Sequence, residues 1–420
     1  MREPLFDELR DYAGNAVRQP DFADIRQRAR RVRRRRVLAS GAAVVATVLA
    51  ASGLGYAAVS HPDRGPHAAV AKPGESPQLT AVAATGPDDL YALVARCSGC
   101  APELSASDDA GTTWRRRTEP PAPADAGVPR IASIVSLGPG ILAWRDGRVL
   151  SITDLQTEAK APWKGPNDRL WITVDGGRTW RRAGIDPKPV AAVPPGTRPV
   201  DCGLAGPVSP CRIYAVNPAT GRFAPLADQP TGIDIESGWA GQTNVPLGAR
   251  LWVPGLDPVT RKPAVASSGD GGRTWRTHVF ADGVPAVAND GWTAAKYLPT
   301  VAAGPGGTAY VLTYREDIRR DTHSTADGGA TWKSGTVLPE IPDAGFVTAD
   351  GAHVVDAGRQ FLAGRGDGGY ARVTLTGYPA RLLQLTQSVS HQAAGRYLVS
   401  STPDLALSDD GWTWRRIATP

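Results

Sequence analysis

An eight-residue phrase, Ser/Thr-x-Asp-x-Gly-x-Thr-Trp, recurs along this 420-residue chain and dictates the local backbone wherever it falls. It is complete at Ser107–Trp114, Thr173–Trp180, Ser268–Trp275 and Thr325–Trp332. Its defining positions are Asp109, Gly111 and Trp114; Asp175, Gly177 and Trp180; Asp270, Gly272 and Trp275; and Asp327, Gly329 and Trp332. A fifth copy keeps Asp409, Gly411, Thr413 and Trp414, with Leu407 at the first position. The phrase describes a tight β-hairpin. An aspartate can accept hydrogen bonds from backbone N–H groups a few residues on and so close a turn. The glycine supplies the positive φ that a residue with a Cβ resists. Thr-Trp then opens a strand with residues suited to a half-buried pleated surface, and the indole N–H needs a partner.

Between the phrases, short apolar runs alternate with Gly, Pro and Asp turns, as in Leu79–Ala83, Leu90–Val94, Ile131–Val135, Thr308–Thr313 and Tyr397–Ser400. With 47 Gly and 37 Pro the chain favours many turns over long helices, and from Gln78 onward the expected class is all-β.

The net charge of +6 is not spread evenly. Residues 1–36 hold 11 Arg and 6 acidic residues, which leaves the rest of the chain near neutrality. The large domain is therefore no basic nucleic-acid binder. Leu5, Phe6, Leu9, Tyr12 and Ala13 fit a short amphipathic helix, and Pro20 interrupts it. Asp21 and Asp24 are placed to start a second helix, which runs into the arginines ending at Arg33–Arg36. The tail is read either as docking a cytoplasmic regulator or as a solvated extension. Val37 to Val59 is 23 residues without a charge, about 35 Å as a helix and enough to cross a bilayer. The flanking arginines place residues 1–36 in the cytoplasm and the large domain outside. A cleaved signal is the rival reading. Residues 60–77, with four prolines, form a spacer, and residues 78–420 form the large domain.

In an exported domain, Cys97 with Cys100 and Cys202 with Cys211 are disulfide candidates, as two local bridges. The six histidines show no metal-ligand spacing, and there is no nucleophile elbow and no P-loop. No metal, no cofactor and no catalytic residue is expected. The basic residues after each phrase (Arg115–Arg117, Arg181 and Arg182, Arg276, Lys333, Arg415 and Arg416) read as outer-strand charges that discourage edge pairing, with a polyanion-binding ring as the alternative.

The five phrases resemble the Asp-box, the bacterial neuraminidase repeat of sialidase-like β-propellers. The resemblance implies that each phrase joins the third and fourth strands of a blade, away from any active site. Box aspartates are spaced by 66, 95, 57 and 82 residues, so two intervals hold two repeats each. Asn217–Phe223 and Asp367–Tyr370 divide those intervals, which gives seven blades of about 49 residues, with six as the alternative. Sialidases clamp a substrate carboxylate with three arginines and use a tyrosine nucleophile, a glutamate and an aspartate. They also carry an Arg-Ile-Pro phrase, and here Pro129-Arg130-Ile131 has the proline on the wrong side. Tyr314-Arg315-Glu316-Asp317 has the right residue types clustered together. The leading expectation is a non-enzymatic module that binds a cell-envelope glycan, peptide or protein at its axial face. The alternative is a sialidase-like glycoside hydrolase. The layout of tail, span and domain, together with an arginine-rich composition, resembles that of actinobacterial membrane proteins linked to signalling.

Overall fold

The computed structural model describes residues 77–420 apart from 98–99, 122–129, 149–169, 201, 203–210, 237–242, 287–296, 318, 339–344, 358–359, 380–387, 394–395 and 402–403. The expected tail and span, and the spacer up to residue 76, lie outside the described residues. No helix among the described residues is long and apolar enough to cross a membrane.

The described chain is all-β. The first sheet is an antiparallel meander of β1 (Gln78–Ala84), β2 (Leu90–Ala95), β3 (Glu103–Ser107) and β4 (Arg115–Arg116). The second repeats it with β5 (Arg130–Gly138), β6 (Ile141–Arg148), β7 (Leu170–Thr173) and β8 (Arg181–Arg182). The third has β9 (Tyr214–Val216) and β10 (Phe223–Pro225), widened by single bridges from Val200 to Tyr214 and from Ile185 to Phe223. After β11 (Thr243–Asn244), the fourth contains β12 (Leu251–Leu256), β13 (Pro263–Ser268) and β14 (Arg276–Val279). The fifth is β15 (Thr300–Ala303), β16 (Ala309–Tyr314), β17 (Arg320–Thr325) and β18 (Lys333–Ser334), with β11 added in parallel beside β15. The sixth is β19 (Gly345–Val347), β20 (His353–Asp356), β21 (Phe361–Gly364) and β22 (Ala371–Val373). The seventh is β23 (Ser388–Ala393), β24 (Arg396–Ser401), β25 (Asp404–Ser408) and β26 (Arg415–Ile417).

Strand position explains composition. β2, β12, β13 and β16 are buried along their whole length, because sheets cover both of their faces. Such strands read as near-continuous apolar or small-residue runs rather than as alternation. The outer strands β4, β8 and β18 are two residues long and exposed, and their charged side chains blunt the edge.

Each sheet shares a core with the next. Leu93 and Leu104 of the first meet Ile134 and Leu142 of the second. Ile172 meets Tyr214 and Phe223 of the third. Ile213 and Leu226 meet Val253 and Ala266 of the fourth, and Trp252 meets Val301 and Val311 of the fifth. Leu312 then meets Val355 of the sixth, whose Phe346 meets Tyr397 and Val399 of the seventh. Leu398, Leu405 and Leu407 of the seventh close back on Leu79 and Leu90 of the first. Meander sheets stacked in a closed ring are the architecture of a β-propeller.

Candidate functional site

The repeated phrase turns the chain between the third and fourth strands of the first, second and fifth sheets and between β13 and β14 in the fourth. All four full copies use one hydrogen-bond pattern. In the first, the Ser107 hydroxyl donates to Asp109 Oδ1 at 2.7 Å and accepts from the Gly111 N–H at 2.8 Å. Asp109 then accepts from the Thr113 N–H at 2.8 Å and from the Thr113 hydroxyl at 2.7 Å. Thr173, Asp175, Gly177 and Thr179 repeat this, as do Ser268, Asp270, Gly272 and Thr274, and Thr325, Asp327, Gly329 and Thr331. The Thr113 N–H and hydroxyl hold the Asp109 carboxyl down at about 2. Thr274 and Thr331 hold Asp270 and Asp327 well below the usual carboxylate range in the same way. Gly272 shows why the glycine is required. Its φ is +94°, and a Cβ there would stand 2.6 Å from Leu226 Cδ1 of the neighbouring sheet.

In the fifth copy the register differs from the sequence alignment. Ser408, not Leu407, supplies the hydroxyl, which donates to Asp410 Oδ1 at 2.9 Å. Asp410, not Asp409, accepts from the N–H groups of Trp412 and Thr413 at 2.7 and 2.8 Å. Ser408 caps Gly411 three residues on, where the full copies span four. The turn is one residue shorter, so its aspartate shifts by one. Asp409 instead forms an ion pair with Arg396 at 2.7 Å.

The tryptophans join one sheet to the one before. Trp114 Nε1 donates to Ala418 O at 2.8 Å, Trp180 Nε1 to Thr118 O at 2.7 Å and Trp275 Nε1 to Asp228 O at 3.0 Å. Trp332 packs edge-on against Trp252 and stacks with His278, but its buried Nε1 has no hydrogen-bond partner among the described residues. Trp414 turns inward, 4 % exposed, and donates to Gly411 O of its own turn at 3.2 Å. The aspartates of these turns are engaged within the turn, and the indole N–H groups of Trp114, Trp180 and Trp275 tie one sheet to the next.

The disulfides Cys97–Cys100 and Cys202–Cys211 are formed. No group of His, Cys, Asp and Glu among the described residues could hold a metal. At the Tyr314 cluster, Arg315 Nη1 donates to Asp321 Oδ1 at 2.8 Å and its Nε reaches Asp317 Oδ1 at 3.4 Å. Asp317 also pairs with Arg319. Tyr314 is buried, its ring edge-on to Tyr297 with the Arg320 guanidinium above it. These charges neutralise one another across a surface turn. Pro129 lies outside the described residues.

Two concavities lie among the described residues, and sequence reasoning singled out neither. The first lies between the sixth and seventh sheets, on the face that carries the phrase turns. It is an open groove of about 420 Å³, lined by Trp412, Arg365, Ala352, Ala363, Gly364 and Gly368. It exists because the sixth sheet lacks the phrase. Gly364 and Tyr370 face each other where the phrase-bearing sheets have Ser/Thr and Trp. A Cβ at Gly364 would stand 2.9 Å from the Tyr370 ring, so the ring folds across the glycine and its hydroxyl meets His353 Nδ1 at 2.6 Å. The turn between them, Arg365–Gly369, is rich in glycine. Trp412 Nε1 donates to Asp350 Oδ1 at 3.1 Å, and Arg365 pairs with the same carboxylate. Trp412 was legible as an anomaly, since the full phrases hold Thr112, Arg178, Arg273 and Ala330 at its position. The second concavity is narrower and is lined by Arg198 and Arg250.

A scan against protein-family models finds no match, and a search of curated proteins finds none either. Among solved structures, the chain is similar to YCF48 from Cyanidioschyzon merolae at 15% identity over 82% of this chain and 86% of that one, with a TM-score of 0.31. It is similar to the BP39L lectin from Burkholderia pseudomallei at 14% identity over 82% and 99%, TM-score 0.38. It is also similar to the GH74 enzyme from Niastella koreensis at 14% identity over 80% and 71%, TM-score 0.23. At these scores the likenesses carry no functional argument.

Proposed function

We propose that this chain is a membrane-anchored, extracytoplasmic β-propeller of seven blades, built on Asp-box turns, that binds a glycan of the cell envelope. The open groove beside Trp412 carries the reading. At about 420 Å³ it falls in the range of small-ligand sites. It combines a partly exposed indole face with a guanidinium and a carboxylate, Arg365 and Asp350, each about half exposed. A pyranose ring has an apolar C–H face and polar edges, so an indole wall beside a charged pair suits it. The two disulfides fit an oxidising compartment. Residues 37–59 are the anchor and residues 1–36 the cytoplasmic segment, in the layout of an actinobacterial envelope protein that could report occupancy across the membrane. Sialoside hydrolysis, the alternative, gains nothing from Arg315, whose donors are already engaged by two carboxylates.

The test is an array of envelope-derived oligosaccharides probed with the full chain in detergent. Retention on a subset of glycans is expected, at least tenfold weaker for Trp412→Ala and weakened for Arg365→Ala. Equal retention of the Trp412→Ala variant, or none by the wild-type chain, overturns the reading.

A further inference from the structure

The carboxylate beside the groove belongs to a cut-off copy of the phrase turn. Thr348-Ala349-Asp350-Gly351-Ala352 joins β19 to β20 and repeats the first half of Thr325-Ala326-Asp327-Gly328-Gly329, with alanine at its last position. Its hydrogen bonds begin in the same way. The Thr348 hydroxyl donates to Asp350 Oδ1 at 2.5 Å and accepts from the Ala352 N–H at 2.9 Å. The second half differs. Four residues past the aspartate, where the full phrases place the threonine that closes the turn, stands Val354. It lies within β20 and has no hydroxyl to donate. The Asp350 carboxylate is therefore not closed off inside its own turn, as those of Asp109, Asp175, Asp270 and Asp327 are.

Its remaining partners come from two other turns. Trp412, in the turn after β25, donates to Oδ1 at 3.1 Å. Arg365, in the turn after β21, donates through Nη2 to Oδ2 and through Nη1 to the Asp350 backbone carbonyl. The Ala349 N–H also donates to Asp410 O at 3.0 Å, which ties this turn to the one that carries Trp412. One carboxylate thus holds both of the side chains that give the groove its chemistry. Trp412 spends its single donor on Asp350 and is left to offer its ring face. Arg365 lines the groove as half of a neutralised pair, so an acidic sugar would have to displace Asp350 to gain a charge-assisted bond. We propose that Asp350 is the positioning residue of the groove: it fixes Trp412 and neutralises Arg365, and so makes the groove select an uncharged sugar ring over an acidic one. The selectivity rests on the glycan reading above, whereas the hold on Trp412 can be measured without any ligand.

The test labels the full chain in detergent with 5-fluorotryptophan, and Trp412→Phe assigns the Trp412 fluorine line. In Asp350→Ala that line should move while the rest of the pattern is kept. Should Asp350→Ala fail to fold, Asp350→Asn supplies the spectrum, and the line should move because the charge beside the indole is lost. The oligosaccharide array gives the second readout, its neutral members against its uronate-bearing ones, with N-acetylglucosamine and galacturonate oligomers of equal length as a matched pair. Wild type should retain the neutral members about tenfold more strongly. Asp350→Asn releases Arg365 and should gain roughly tenfold for the uronate-bearing members, and adding Arg365→Gln should remove that gain. The proposal is overturned by an unmoved Trp412 line, by wild-type retention without preference for neutral members, or by a uronate gain that is absent from Asp350→Asn or survives Arg365→Gln. Retention without that preference strikes this proposal and leaves the glycan reading standing. No retention anywhere on the array overturns the glycan reading and the selectivity with it, and a Trp412 line that moves then still upholds Asp350 as the residue that holds the indole.

Discussion

Asp409 and Asp410 are adjacent carboxylates with different roles, and the difference is invisible in the sequence. Each could be the third residue of the phrase. The outcome depends on turn length: one residue fewer between aspartate and glycine selects Asp410, which Ser408 and the N–H groups of Trp412 and Thr413 then bind. Asp410→Ala should therefore lower the thermal midpoint clearly more than Asp409→Ala, which removes an ion pair at the surface. A larger loss for Asp409→Ala would restore the sequence register. Strain at the phrase glycines is testable in the same way. Gly272→Ala places a Cβ against Leu226 at positive φ and should cost more than about 1 kcal/mol in denaturant unfolding. The four full phrases were legible from sequence because Ser/Thr, Asp, Gly and Thr all serve one closed network within eight residues. Asp350 and Arg365 were not, because they lie 15 residues apart and meet only through the pairing of β20 with β21, with Trp412 reaching them from the next sheet.

At the scale of the element, an indole that bonds to the preceding sheet should matter more than one that does not. Trp275→Phe loses the hydrogen bond to Asp228 O, whereas Trp332→Phe loses none. The two share a similar loss of ring area, so Trp275→Phe should be the more destabilising by about 1 kcal/mol. Equal unfolding energies would mean that the indole bonds do not tie the sheets. The strands at Leu79, Leu90, Ile131, Thr308 and Tyr397 could be read from apolar runs between turns, and β1, β2, β5, β16 and β24 lie there. β11 could not be read. Thr243 and Asn244 carry no strand signature, and they gain a partner only because β15 offers them a parallel edge. The third and sixth sheets, which lack the phrase, fall in the two long intervals between phrases. The groove beside Trp412 follows from the second of these.

For the whole molecule, the ring buries histidines that must stay neutral. Burial pulls His353 down to about 3 and His323 to about 4, from an ordinary value of 6.5. The unfolded chain therefore binds more protons than the folded one between those values and 6.5. Stability is full above pH 6.5 and falls on acidification, by about 1.4 kcal/mol per pH unit for each histidine. Urea midpoints should drop steeply from pH 6.5 to 4.5, and a flat profile would contradict the buried neutral state. The phrase aspartates act lower, being protonated only below their ordinary range. The proposed role of the ring is to bind a ligand against Trp412. Calorimetric titration of the full chain with oligosaccharides released from the envelope, with new reducing ends counted in the same samples, tests this most directly. The predicted result is saturable heat without new reducing ends, and affinity at least tenfold weaker in Trp412→Ala. New reducing ends that vanish in Tyr314→Phe, or binding untouched by Trp412→Ala, would contradict it.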